Sequence, residues 1–75
     1  MITVRVFGLL RLDSGISRLE LEAETVGEAI ERLPEALDKK SIARYTLLVN
    51  GKPANAKTGL KDGDEIYILA PVAGG

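Results

Sequence analysis

The chain ends in six small, uncharged residues: Ala70, Pro71, Val72, Ala73, Gly74 and Gly75. Pro71 fixes its own backbone φ angle and pushes the residue before it toward an extended conformation. Six extended residues span roughly 20 Å. Such a tail is long and thin enough to enter a narrow channel in another protein and to present its terminus inside.

The reactive group of this tail would be the α-carboxylate of Gly75. Because glycine has no Cβ atom, nothing crowds a nucleophile that approaches the terminal carbonyl carbon. The carboxylate is ionised at neutral pH, since the ordinary pKa of an α-carboxyl group is about 3.3–3.7. An ionised carboxylate is a poor electrophile and needs activation by a separate enzyme. Adenylation by ATP would supply a leaving group, and a sulfur nucleophile would then give a thiocarboxylate.

A terminal Gly-Gly is by itself a weak signal, because many chains end in glycine by chance and termini are usually frayed. Its value here rises because it directly follows a predicted central strand. The composition also removes competing chemistry. The sequence has no Cys and no His, which excludes disulfides, thiol nucleophiles and the side chain that titrates near neutral pH.

The charge balance and hydropathy narrow the range of partners. Ten Lys and Arg residues against eleven Asp and Glu residues give a net charge of -1, so there is no electrostatic case for nucleic acid. No apolar run is long enough to span a membrane, and the N-terminus lacks a signal-peptide pattern. We therefore expect a cytoplasmic protein without nucleic-acid or membrane partners.

Bound cofactors and metals are not expected either. The sequence has no phosphate-cradling glycine loop, so ATP would bind the activating partner and not this chain. Asp62, Asp64 and Glu65 are too few for a hard cation, which takes six or more oxygen ligands. Turn chemistry around Gly63 explains these acids.

The first half of the chain predicts two strands and a helix. Ile2, Val4 and Val6 alternate with other residues, which is typical of a strand with those three side chains inward. Residues 19–24 alternate Leu or Ala with Glu and predict a second strand, joined to the first by a long loop. Thr25 and Glu28 then fit a capping box at the start of a helix.

That helix has an apolar stripe at helical spacing: Val26, Ala29, Ile30 and Leu33. Pro34 lacks an N–H group and clashes with the carbonyl four residues before it, so it would end or kink the helix. It could instead open a second turn through Leu37, and the sequence does not decide between these. Residues 38–41 are interpreted as a loop.

The second half predicts three strands. Residues 45–49 form the third strand, and Asn50-Gly51 suits a tight hairpin turn. The returning strand is short and lies at an edge, because Pro53 cannot donate to a strand ladder. Residues 65–69 form a nearly continuous apolar strand, which favours a central position. The whole pattern predicts an α+β roll over residues 1–69, with a mixed five-stranded sheet and one main helix packed across it, followed by a flexible tail over residues 70–75.

The sequence resembles the small subunit of molybdopterin synthase, within the family of ubiquitin-like sulfur carriers that includes the thiamine thiazole carrier. The resemblance covers nearly the whole chain. Its most specific parts are the tail residues 71–75, residues 60–65, the Val49-Asn50-Gly51 turn, and Phe7 followed by Arg11. It implies a β-grasp fold whose first and last strands are parallel neighbours at the centre of the sheet.

The resemblance also implies a function. Gly75 would be adenylated by an enzyme related to ubiquitin activators and thiocarboxylated by a sulfur donor of the desulfurase or rhodanese type. The tail would then enter a large catalytic subunit, where sulfur passes to a pterin precursor. The chain itself would be a carrier and not an enzyme. Related carriers serve thiamine synthesis, transfer-RNA thiolation or attachment to protein lysines, so these alternatives stay open.

Two positions depart from the family pattern. Ala70 stands where the family often has a first proline, and Leu12 stands where an acid often follows the arginine. Both bear on the pathway and not on the carrier chemistry.

A partner-binding surface is predicted on the sheet. Phe7 and Leu69 fall opposite the inward positions of their strands, and Tyr67 and Pro53 would join them in an exposed apolar patch. Such patches often mark partner surfaces. Arg11 is a further candidate for partner contact. In the alternative interpretation, the irregular residues 54–61 cover the patch.

Overall fold

The computed structural model describes residues 1–42 and 44–69, which form five strands and three short helices. In chain order these are β1 (Ile2–Val6), α1 (Leu9–Ser14), β2 (Arg18–Leu21), α2 (Val26–Glu31), α3 (Lys39–Ile42), β3 (Thr46–Val49), β4 (Lys52–Pro53) and β5 (Glu65–Leu69). No helix in this part of the chain has the length and apolar character needed to cross a bilayer.

The five strands form one mixed sheet in the order β2-β1-β5-β3-β4. The first and last strands are parallel and central, with Val4 opposite Ile66 and Val6 opposite Ile68. The other neighbours are antiparallel. The predicted mixed sheet, the α+β class and the parallel central pair are therefore confirmed.

The core lies between this sheet and the helices. The alternation of β1 and β5 sends Ile2, Val4, Val6, Ile66 and Ile68 to one side, where each is at most 2% exposed. The facing residues come from the helices and their connections: Leu10, Val26, Ala29, Leu33, Leu37 and Ile42. Burial of apolar surface at this single layer is the main stabilising term of the fold.

The connection between β1 and β2 contains α1, where the sequence analysis expected only a loop. Gly8 precedes the helix with φ 71°, and Gly15 ends it with φ 75°, donating its N–H to the Arg11 carbonyl at 2.9 Å. Glycine adopts these positive φ angles without steric cost. The helix places Leu10 in the core at 7% exposure. A single buried leucine makes no apolar period, so the pattern gave no helical signal.

The expectation of one main helix is only loosely met, because the helical layer is divided. α2 begins at the predicted cap, where Thr25 Oγ1 accepts from the Glu28 N–H at 3.2 Å. It ends at Glu31 with Arg32 as the C-cap, so the helix stops before Pro34 and is not kinked by it. The Pro34 carbonyl then accepts from the Leu37 N–H at 3.0 Å, which forms a separate turn.

The predicted loop at residues 38–41 was wrong, because α3 covers most of it. Asp38 acts as its cap: Oδ1 accepts from the Lys40 N–H at 3.1 Å, and Oδ2 accepts from the Ser41 hydroxyl at 2.9 Å. The first bond satisfies a backbone N–H that a helix start leaves without a partner. Both bonds also lower the pKa of Asp38, with the Ser41 hydroxyl as the largest cause.

A polar network around Asp64 joins the turn before β5 to the rest of the sheet. The Asp64 carboxylate accepts from the Lys61 N–H at 2.8 Å and from the Asn50 side-chain amide at 2.9 Å. Its carbonyl accepts from the Thr3 N–H at 3.0 Å. Asn50, at φ 52°, also accepts from the Glu65 N–H at 3.0 Å. The network fixes the start of β5 beside both of its neighbours.

These bonds predict an acid-dependent contribution to stability. They lower the pKa of Asp64, chiefly through the Lys61 N–H and then through Asn50. A lowered folded-state pKa means stability that is present above the ordinary value of 3.8 and is lost as the pH falls through the folded-state value. Asp64→Asn should therefore lower the thermal unfolding midpoint at about pH 7, and the difference from wild type should shrink toward about pH 2.

Thermal melts followed by circular dichroism across this pH range measure the effect. Glu35→Gln is the matched control, because Glu35 is exposed and no bond to it is found in residues 1–42 and 44–69. A difference between Asp64→Asn and wild type that stays constant with pH would contradict the assignment.

Candidate partner-binding surface

The two sides of the sheet are covered differently. The helices lie on one side, and the segment 54–61 joins them there. The N–H groups of Val26 and Gly27, at the start of α2, donate to the Thr58 and Ala56 carbonyls at 3.0 and 2.9 Å. Gly27 permits this approach, since a Cβ atom at that position would lie 3.1 Å from the Ala56 oxygen. The segment therefore does not cover the opposite side, which we call the outer face.

Strand register shows which residues share the outer face. Residues directly opposite each other in neighbouring strands point to the same side of a sheet. One row runs across all five strands in register: Arg18, Arg5, Tyr67, Leu48 and Pro53. Its middle is half-buried at Tyr67 and Leu48, and its ends are exposed. The row passes from two cations at one edge to apolar groups at the other.

An aromatic pair occupies the centre of the outer face. The rings of Phe7 and Tyr67 meet edge to face, with centroids 5.5 Å apart and an interplanar angle of 73°. This is a favoured geometry for aromatic rings. Leu69 lies on the same face, opposite Thr46. The outer face therefore has an apolar centre formed by Phe7, Tyr67, Leu69 and Leu48.

The phenol of Tyr67 is held by its neighbour on the same strand. Its hydroxyl donates to Glu65 Oε1 at 3.0 Å. This bond is the largest cause that raises the pKa of Tyr67, followed by the negative charge of Glu65. The bond stabilises the protonated phenol and holds the ring in place, which presents a fixed surface to a partner.

The structure brings together four of the five residues proposed for partner contact. Phe7, Tyr67 and Leu69 lie around the apolar centre, and Pro53 ends the same row as Tyr67. Arg11 lies apart from the sheet, exposed on α1. Their role in binding stays a prediction.

Sequence reasoning missed Leu48 and Arg18 on the outer face, and it placed Arg5 beside Phe7 on that face without giving Arg5 a role in binding. Leu48 lies between two other apolar residues, so its strand shows no alternation. The alternation of side chains along β3 could have identified Leu48 as outward once Leu47 and Val49 were assigned inward. The juxtaposition of the two arginines depends on the register of β1 with β2, which the sequence does not specify.

The outer face has the properties of a docking surface. Its polar groups include exposed arginines, a phenol and the carboxylates of Glu20 and Glu65, and two acids near it serve the fold. Asp62 pairs with the amino group of Met1, and Asp64 holds the turn before β5. The predicted reactive segment, with Pro71, Val72, Ala73, Gly74 and Gly75, lies outside the described residues.

The strand directions place the outer face beside the start of that segment. β1 and β5 are parallel, so Phe7 and Leu69 lie at the same end of the sheet, and the Phe7 N–H donates to the Ile68 carbonyl at 3.3 Å. Residue 70 follows directly in the chain. A protein bound at the apolar centre is therefore next to the point where the tail begins.

Comparison with known protein families tests the predicted resemblance to ubiquitin-like sulfur carriers. The model of the ThiS family matches residues 4–75. No curated protein matches the sequence.

Several solved structures share the whole fold. Small archaeal modifier protein 1 from Methanosarcina acetivorans is 31% identical, with a TM-score of 0.81 and coverage of 99% of this chain and 95% of that one. A chain in the complex of subunits 1 and 2 of molybdopterin-converting factor from Helicobacter pylori is also 31% identical, with a TM-score of 0.73 and coverage of 99% and 97%.

A chain in the BexX/CysO complex from Amycolatopsis orientalis is 26% identical, with a TM-score of 0.77 and full coverage of both chains. These matches confirm the predicted resemblance and the ubiquitin-like β-grasp fold. Two of the three relatives were solved bound to another protein.

The Tyr67 bond predicts a measurable shift. Glu65→Gln removes the carboxylate, so the pKa of Tyr67 should fall back toward its ordinary value of 10.0. Ultraviolet titration of phenol ionisation measures this, with Tyr45→Phe in the background so that one tyrosine remains. Glu35→Gln in the same background is the control and should leave the titration unchanged. An unaltered Tyr67 titration in Glu65→Gln would contradict the proposed bond.

Proposed function

Because the chain belongs to the ThiS family, we propose that it is a sulfur carrier activated at the carboxylate of Gly75. The family match, which extends through Gly75, is the observation that carries this proposal. The chain acts as a cosubstrate in the cytoplasm and binds no cofactor of its own. ATP is used by a partner, an adenylating enzyme of the ubiquitin-activating type.

The chemistry proceeds in steps that conserve atoms and electrons. The Gly75 carboxylate attacks the α-phosphorus of ATP, and pyrophosphate leaves, which gives an acyl adenylate. The persulfide of a desulfurase- or rhodanese-type donor attacks the carbonyl carbon, and AMP leaves. This forms a C–S bond and leaves an acyl disulfide that keeps the S–S bond of the persulfide. A thiol then attacks the donor's sulfur in that S–S bond, forms a disulfide with it and releases the thiocarboxylate. Gly74 and Gly75 leave the carbonyl carbon open to attack because neither has a Cβ atom.

The outer face supplies the docking step. Activation requires the terminus to reach another protein's active site, and the affinity must come from a surface that does not react. The apolar centre of Phe7, Tyr67, Leu69 and Leu48 provides this surface beside the start of the tail. Aromatic side chains are frequent energetic centres of protein interfaces. The tail residues Pro71, Val72 and Ala73 then span the distance into the active site.

We propose molybdopterin synthesis as the pathway, with the large subunit of molybdopterin synthase as the second partner. Two observations support this choice. Residues 71–75 resemble the tail of the small subunit of molybdopterin synthase, and the chain is similar to a chain of the Helicobacter pylori molybdopterin-converting factor complex. Sulfur transfer for thiamine or transfer-RNA thiolation uses the same activated terminus and is the alternative. A protein modifier that forms isopeptides through Gly75 is a further alternative, supported by similarity to small archaeal modifier protein 1.

Deletion of Gly75 should abolish activation, because the carboxylate then lies one residue short of the adenylating site. ATP–pyrophosphate exchange by the adenylating enzyme of the same genome measures this step. Lys57→Gln, at an exposed position of the segment 54–61, is the control and should keep wild-type exchange. Full exchange by the truncated chain would refute the role of Gly75.

Intact-mass spectrometry of the protein from its native host separates the alternatives. A sulfur carrier shows a subpopulation in which one oxygen is replaced by sulfur at the terminus. A modifier shows Gly-Gly remnants on lysines of other proteins after digestion. Absence of both, in cells that carry out the pathway, would contradict the proposal.

A further inference from the structure

Two arginines lie directly opposite each other on the outer face. Arg5 of β1 is paired with Arg18 of β2 in the antiparallel register, and both are exposed. Like charges directly opposite each other destabilise a sheet, whereas opposite charges stabilise it. The register therefore places two cationic residues opposite each other, which disfavours this pairing in the free protein.

Neither arginine has a carboxylate partner in residues 1–42 and 44–69, where ion pairs join Met1 to Asp62 and Arg32 to Glu28. Glu20 and Glu65 share this face, and no ion pair joins either of them to an arginine in the described residues. Glu65 accepts from the Tyr67 hydroxyl.

Glu20 lies opposite Thr3, toward the amino terminus. The pKa of the terminal amine is raised mainly by its hydrogen bond to Asp62, and Glu20 adds a smaller contribution. Because no ion pair to Arg5 or Arg18 is found in residues 1–42 and 44–69, both guanidinium groups can take an anionic partner from outside.

The apolar centre borders this pair. The guanidinium carbon of Arg5 lies 6.0 Å from the centroid of the Phe7 ring, and Tyr67 is the next residue in the same row. An anion that reaches Arg5 when a partner covers these rings is removed from water, which strengthens its attraction to the cations. The rings indicate a protein partner, because a phosphate backbone offers no apolar surface to cover them.

We propose that Arg5 and Arg18 together bind a carboxylate side chain of the adenylating enzyme when it covers the outer face. This deepens the proposed function and rests on it. The apolar centre provides the contact area, and the arginine pair selects partners that carry an acid at the matching position. A partner without that acid must bury or displace two unpaired cations, which disfavours it.

The test compares two double variants with the same change in net charge. Arg5→Gln with Arg18→Gln removes the pair. Lys40→Gln with Lys57→Gln removes two exposed charges from α3 and from the segment 54–61. ATP–pyrophosphate exchange by the adenylating enzyme of the same genome is measured against carrier concentration. The arginine variant should raise KM about tenfold or more with kcat unchanged, and the lysine variant should stay within about twofold of wild type.

Salt dependence and stability separate binding from structural damage. The kcat/KM of wild type should fall as salt is added, and that of the arginine variant should respond less. The thermal unfolding midpoint of the arginine variant should not fall, because the repulsion between the two cations is gone. Equal KM values for the two double variants, with normal exchange by wild type, would overturn this inference alone. No exchange by wild type would overturn it together with the proposed function.

Discussion

Residues 1–42 and 44–69 bury one side of the sheet far more than the other, and the other properties of the fold follow from that constraint. A chain of this length can form one layer of strands and one layer of helices, but not a second covering layer. The helices and the segment 54–61 lie on the same side. The outer face is left with half-buried rings and leucines, which a partner can cover.

The strands could be predicted from the sequence because their signals are local. Alternation identified Ile2, Val4 and Val6 as inward, and Asn50-Gly51 marked the hairpin. The short helices could not be predicted in the same way. α1 buries only Leu10, and α3 buries only Ile42, so neither shows an apolar period. Their positions depend on glycine caps, on the Asp38 cap and on space left by the sheet.

The candidate site could be predicted in part, because some of its residues are identified by local signals and others depend on contacts between strands. The alternation of side chains within each strand placed Phe7 and Leu69 on the outer face. That inference needs no knowledge of the neighbouring strands. The pairing of Arg5 with Arg18 requires the register, which is set by tertiary contacts. The chemistry of Gly75 came from residue type and resemblance, and it lies outside the described residues. The reactive group thus stays a prediction from sequence, and the structure describes the surface beside the start of the tail.

The pairing of the first strand with the last has a consequence for biosynthesis. β1 leaves the ribosome well before its central partner β5, and Ile66 and Ile68 of β5 complete the core. A hairpin of β1 and β2 alone is marginally stable in water. Folding therefore finishes only after β5 has been made, so a nascent or truncated chain that lacks β5 cannot present an assembled outer face.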